Sequence, residues 1–209
     1  MSDFFKQFVE QLIATSIAEW VAVILAVVYL LLAIKEHIGC WLAAFFSTAI
    51  YSVLFFDVNL YMESVLNIYY LVMAIYGYYQ WRYKTQGEII KPIIKWPVSW
   101  HLKLIIGILI LVIASGWLLE NYTDQDFAYL DSLTTWFAIA TTYMVAKKVL
   151  ENWIYWIVID SVSIFIYLQK GFALTAVLFV SYLLLAFIGW LKWKQRYEKQ
   201  IESTSLVAT

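Results

Sequence analysis

One stretch of this 209-residue chain carries the residue types that recognise a flat cation. Trp153, Trp156, Asp160, Ser163 and Tyr167 recur at helical spacing, so one face presents two indoles, a carboxylate and two hydroxyls. An indole face attracts a fixed positive charge by about 0.5–2 kcal/mol and also stacks on a flat ring. A carboxylate beside it can neutralise the charge or accept hydrogen bonds from an amine or from sugar hydroxyls. A second stripe at helical spacing runs through Glu63, Asn67, Tyr70, Ala74, Gly77 and Trp81. Ala74 and Gly77 read first as close-packing positions, and Asn67 as a group that reaches a cavity or a neighbouring helix.

The elements that position these stripes follow from composition. The chain is 64% hydrophobic and 14% charged, where a soluble domain is about half apolar and roughly a quarter charged. As a water-soluble globule it would have to expose more contiguous apolar surface than such proteins tolerate. It is read as an all-α integral membrane protein. A formal net charge of −1 with no basic stripe excludes nucleic acid as a partner. The single cysteine, Cys40, makes no disulfide framework or metal site. His37 and His101 fall near helix ends, and no HExxH or GxSxG string occurs, so no metal, cofactor or catalytic centre is expected. The segment up to Ala18 lacks a basic region leading into an apolar core, so no cleavable signal peptide is expected.

A hydrocarbon core about 30 Å thick needs roughly 20 apolar residues per helix. Seven stretches meet that need: 18–34, 38–56, 61–81, 100–119, 127–146, 152–169 and 171–191. Ahead of them, Phe4, Phe5, Phe8, Val9, Leu12 and Ile13 suit a helix lying on the membrane surface. With the N-terminus outside, twelve Lys and Arg fall on the inner side: Lys35, Arg82, Lys84, Lys91, Lys95, Lys103, Lys147, Lys148, Lys192, Lys194, Arg196 and Lys199. Only Lys6 and Lys170 fall outside, with Glu120, Asp124 and Asp126 on the same side. Basic residues collect on the cytoplasmic side, which gives N-out, C-in.

One constant offset runs through the chain, pairing Lys35 with Lys147, Trp41 with Trp153, Tyr70 with Tyr182, Gly77 with Gly189 and Trp81 with Trp193. It relates helices 1–3 to helices 5–7, with helix 4 inverting the chain between them. The expected organisation is a surface segment (1–17), a first three-helix repeat (18–83), a basic loop with the linker helix (84–126), a second repeat (127–195) and a cytoplasmic tail (196–209). Parallel 3+1+3 repeats belong to transporters whose halves rock about a central site. Asp160 lies near the middle of helix 6, where a lipid-facing carboxylate costs at least about 2.5 kcal/mol. It is therefore expected to face a cavity. Thr48 is its counterpart in the first half and borders the same central space. Trp153, near the inner boundary, also fits an interfacial anchor, and Glu63, near the outer boundary, a solvated acid.

The run Glu151-Asn152-Trp153-Ile154-Tyr155-Trp156-Ile157-Val158-Ile159-Asp160 resembles the Trp-x-x-Trp-x-x-x-Asn/Asp signature of the Pnu-type vitamin transporters. Lys147-Lys148 and the string Ile75-Tyr76-Gly77-Tyr78-Tyr79-Gln80-Trp81 are similar as well, and the likeness spans about residues 18–195. The resemblance implies a SWEET-like 3+1+3 fold, a homotrimer in the bacterial inner membrane, and facilitated diffusion without ion coupling. It implies an unphosphorylated vitamin as substrate, thiamine or nicotinamide riboside, trapped inside by a cytoplasmic vitamin kinase. It also implies that Trp153, Trp156 and Asp160 contribute to binding.

The signature ends here in Asp160, where the nicotinamide riboside branch commonly has Asn, and Glu63 adds a second acid. An aminopyrimidine pairs well with a carboxylate, whereas a carboxamide suits Asn or Gln. Thiamine is therefore the favoured expectation, with nicotinamide riboside the alternative, which Asn67 supports. The substrate-binding set is Trp153, Trp156, Asp160, Glu63, Asn67, Tyr70, Thr48 and Ser163. A proton-coupled carrier, a vitamin receptor and, least of all, a membrane enzyme are the rival classes.

Overall fold

The computed structural model describes residues 2–57, 61–82, 91–123 and 127–207, without the side chains of 2–3, 61–65 and 204–207. Glu63, Lys84, Asp124 and Asp126 thus fall outside the described residues, apart from the backbone of Glu63 in its helix. The described residues form eight helices: α1 Ser2–Ala14, α2 Ile17–Ile34, α3 Gly39–Asp57, α4 Tyr61–Arg82, α5 Val98–Tyr122, α6 Ala128–Ala146, α7 Asn152–Gln169 and α8 Ala173–Val207. α2, α3, α5 and α8 are each long and apolar enough to cross a bilayer. α4, α6 and α7 are of spanning length but more polar, and two of them carry the candidate stripes. The protein is an all-helical integral membrane protein.

Local chemistry sets the helix ends. Ser16 caps α2 by accepting from the Glu19 amide at 3.1 Å, and Pro97 stands at the N-cap of α5. α8 runs on to Val207, well beyond its apolar stretch, because no Gly or Pro breaks it after Gly189 and polar residues continue the helix in water. α2 ends with Glu36 in the left-handed region (φ 57°), where the Glu36 and His37 amides bond back to Ala33 and Leu32. The same turn recurs 112 residues on, at the end of α6: Lys148 has φ 57°, and the Lys148 and Val149 amides bond to Val145 and Met144.

α2 packs on α3 and α3 on α4; α6 packs on α7 and α7 on α8. The two triplets meet reciprocally, α4 against α6 and α8 against α2. Four tryptophans fill the core at the basic end. Trp41 meets Trp81 edge-on at 5.4 Å and 86°, Trp153 meets Trp193 at the same distance and angle, and Trp81 meets Trp193 at 6.2 Å. Trp81 Nε1 donates to the Val145 carbonyl (3.3 Å) and Trp193 Nε1 to that of Ala33 (3.1 Å), so each triplet adds a second hydrogen bond to a helix-end carbonyl of the other. Gly77 and Gly189 are required here: a Cβ would lie 2.3 Å from the Trp41 ring in one case and 2.6 Å from the Trp153 ring in the other. α1 docks at the opposite end, where Gln11 bonds the Gly171 carbonyl and the Leu174 amide.

Candidate functional site

The face of α7 expected to bind a ligand divides into two parts. Trp153 is fully buried, its ring beneath Gly189 and against Trp193, and thus belongs to the tryptophan core. Its Nε1–H, like that of Trp41, has no acceptor among the described residues. One turn on, Trp156 is half-buried and packs against the edge of that core. Asp160 and Ser163 follow, 3% and 5% exposed. No charged or hydrogen-bonding partner meets the Asp160 carboxylate among the described residues. A buried carboxylate without a partner is costly to keep in a protein interior.

Across from it the other candidates come partly together. α4 and α7 do not touch through their backbones, and α7 is flanked by α6 and α8. Tyrosines lie between them in reach: Tyr182 of α8 is within electrostatic reach of Asp160 and of Tyr51 on α3, and Tyr70 of α4 is within reach of Tyr167 on α7. Tyr51 is within reach of Tyr167 as well. Asn67 is buried on α4 one turn before Tyr70. Thr48 spends its hydroxyl inside its own helix, donating to the Ala44 carbonyl (2.9 Å) and the Phe45 carbonyl (3.2 Å). Glu63 starts α4, its side chain outside the described residues.

Sequence reading did not single out Tyr51 and Tyr182 as candidates, which lie within electrostatic reach of Tyr167 and Asp160 respectively. Tyr182 was recoverable, since it is the repeat partner of Tyr70; in a chain with 16 tyrosines, Tyr51 carried no signal of its own. His101, expected as a plain boundary residue, bonds the Tyr155 hydroxyl through Nδ1 at 2.9 Å and approaches Glu151 at 3.8 Å, which ties α5 to the start of α7.

The candidate residues comprise an indole, a carboxylate without a partner among the described residues, an amide and several phenols, and no Lys or Arg lies in the apolar middle of a spanning helix. Such a set can hold an aromatic cation bearing hydroxyl or amine donors, and it has no cation with which to grip a phosphate.

Comparison with known proteins agrees in kind. The chain is 22% identical over 184 residues to the nicotinamide riboside transporter PnuC of Escherichia coli (strain K12), covering 76% of this chain and 75% of that one. The Shigella flexneri protein of the same name matches to the same extent. The crystal structure of the vitamin B3 transporter PnuC superposes with a TM-score of 0.73 at 19% identity, covering 95% of this chain and 89% of that one, which shows a shared fold. Residues 16–195 match the family described as nicotinamide mononucleotide transporter. The chain belongs to that family of membrane transporters, and not to an enzyme family.

Proposed function

We propose that this protein carries nicotinamide riboside across the bacterial inner membrane, and that the unpartnered Asp160 above the Trp156 indole is the centre of its binding site. Trp156 stacks on the pyridinium ring, Asp160 meets its charge or the ribose hydroxyls, and Asn67, Tyr70, Ser163 and the backbone-bonded Thr48 complete the wall, with Glu63 at the outer end of α4. Trp153 seats this face on the core. The expectation of thiamine becomes the second reading, because the relatives named above are nicotinamide riboside transporters. The observation in thiamine's favour is the acid at position 160, which suits an aminopyrimidine. A nucleotide fits less well, since a buried carboxylate repels its phosphate and no central cation offsets that repulsion.

Seven spans with the N-terminus outside, in a parallel 3+1+3 arrangement, support movement of two halves about this centre. Flux runs down the gradient, a cytoplasmic kinase traps the vitamin, and the protein works as a trimer. Calorimetric titration of the purified protein with nicotinamide riboside, nicotinamide mononucleotide and thiamine tests the substrate: the riboside binds tightest and the mononucleotide yields no heat. Mononucleotide binding as tight as riboside binding overturns the reading. Uptake into proteoliposomes separates the mechanisms, because accumulation above equilibrium only under a pH gradient means proton coupling, and binding without flux means a receptor.

A further inference from the structure

We propose that Glu36, Lys148 and Arg196 form the inner gate of the transport path, a single carboxylate clamp that holds the two three-helix units together at the basic end. The proposal rests on the transport reading with the C-terminus inside. Glu36 Oε2 accepts from Lys148 Nζ at 2.8 Å and Glu36 Oε1 from Arg196 at 2.9 Å. Lys148 is 1% exposed; its ammonium also donates to the Lys91 carbonyl (3.0 Å) and sits 4.7 Å from the centroid of the Trp81 ring. One acidic side chain from the α2–α3 turn therefore joins the α6–α7 turn, α8, α4 and the segment leading to α5. That segment is itself strapped to the α6–α7 turn by the Ile94–Lys148 and Leu150–Ile94 backbone bonds.

Two features mark this as more than a packed end. Glu36 and Lys148 both occupy the left-handed position after a helix, where Gly is the usual residue and other residues are strained. The two positions correspond under the repeat, each directly following the matched pair Lys35 and Lys147. Opposite charges at equivalent turns thus reach each other across the plane where the units meet. Among the described residues, no ion pair joins the two units at the opposite end; Lys170–Asp131 lies within the second unit. A buried ion pair is well suited to a reversible contact, because parting the charges returns both to water and recovers the hydration lost on closing. A ligand leaving the Asp160 region toward this end meets first the four tryptophans and then this clamp.

The chain carries its own probe. Cys40, its sole cysteine, is fully buried in the first turn of α3, close enough to feel the Lys148 charge. In inside-out vesicles, maleimide labelling of Cys40 should be slow in the parent protein and about tenfold faster in Glu36→Gln, because the rate follows the population of the open state. Arg196→Gln, which leaves the Lys148 pair, should give a smaller rise of roughly threefold. The double variant Glu36→Gln with Lys148→Met separates gate from scaffold: it has no unpaired buried charge, so a merely structural pair predicts parental protection, whereas a gate predicts continued fast labelling. Folding is checked by retained riboside binding; should Glu36→Gln fail to fold, Arg196→Gln carries the test. Parental labelling rates in folded single variants, or restored protection in the double variant, overturn the gate. Fast labelling of the variants beside a parent that takes up no vitamin would sink the transport reading and leave the clamp standing.

Discussion

α3 and α7 begin alike and diverge one turn in. Trp41 and Trp153 hold the same place beneath Gly77 and Gly189, with the same edge-on partners in Trp81 and Trp193. Beyond them, Ala44 stands where α7 has Trp156, Thr48 where it has Asp160, and Tyr51 where it has Ser163. Thr48 satisfies itself within its helix, whereas Asp160 has no partner among the described residues. Residues that close the core are common to both triplets, whereas the indole and the carboxylate proposed to meet the charged ring sit on α7 alone. On the proposed function, two alike helix starts thus lead into unlike continuations, which suits a ligand with one charged ring and one polar end.

The sharpest way to break this comparison is to remove the shared element. Trp41→Ala and Trp153→Ala should each destabilise the protein by about 4 kcal/mol, through lost burial and the cavity left behind. Thermal unfolding in detergent should show nearly equal losses. If Trp153→Ala instead unfolds normally and loses only vitamin binding, its indole belongs to the site rather than to the frame.

Next comes the first point of divergence. Trp156→Ala should weaken riboside binding by about 2 kcal/mol, or roughly 30-fold, with a smaller effect on stability, since the ring is only half-buried. Calorimetric titration reads this directly. Unchanged affinity would remove stacking from the site. A milder change sharpens the comparison further: Asp160→Asn should weaken thiamine by about tenfold while leaving the riboside within about threefold, because an amide still meets ribose hydroxyls but no longer matches an aminopyrimidine. Thr48→Val should leave both ligands near parental affinity. Equal losses for both vitamins in Asp160→Asn would mean that the carboxylate senses charge alone.

Much of this architecture is legible without coordinates. Apolar runs near bilayer length, broken by polar turns and by Pro92 and Pro97, locate the helices to within a few residues, apart from the long polar extension of α8. The constant repeat offset also names both tryptophan–glycine pairs. Burial of Trp153 was harder to see, because its place in a ligand-binding signature argued for stacking, and the glycine that receives its ring lies on another helix. The clamp was hidden for a different reason. Lys148 and Arg196 read as topology-setting charges at inner helix ends, and only the meeting of the two triplets shows that both point at Glu36.

Lys147 and Lys148 give the smallest and most specific contrast. Burial pushes Lys148 below the ordinary lysine value of 10.5, against the opposing pull of Glu36. The Tyr76 hydroxyl, with Tyr143, holds its neighbour Lys147 above that value, its ammonium 5.3 and 5.5 Å from the two ring centroids. A lowered lysine means that, between its folded value and 10.5, the unfolded chain binds a proton the folded chain does not, so stability rises with pH in that window. A raised lysine adds stability that is complete below 10.5 and is lost as pH climbs through its higher folded value. Melting temperatures across the alkaline range should therefore show that Lys148→Met removes a gain below 10.5 and that Lys147→Met removes a loss above it. If the two variants track the parent in parallel, the adjacent lysines share one environment, and Lys148 is not desolvated as its burial requires.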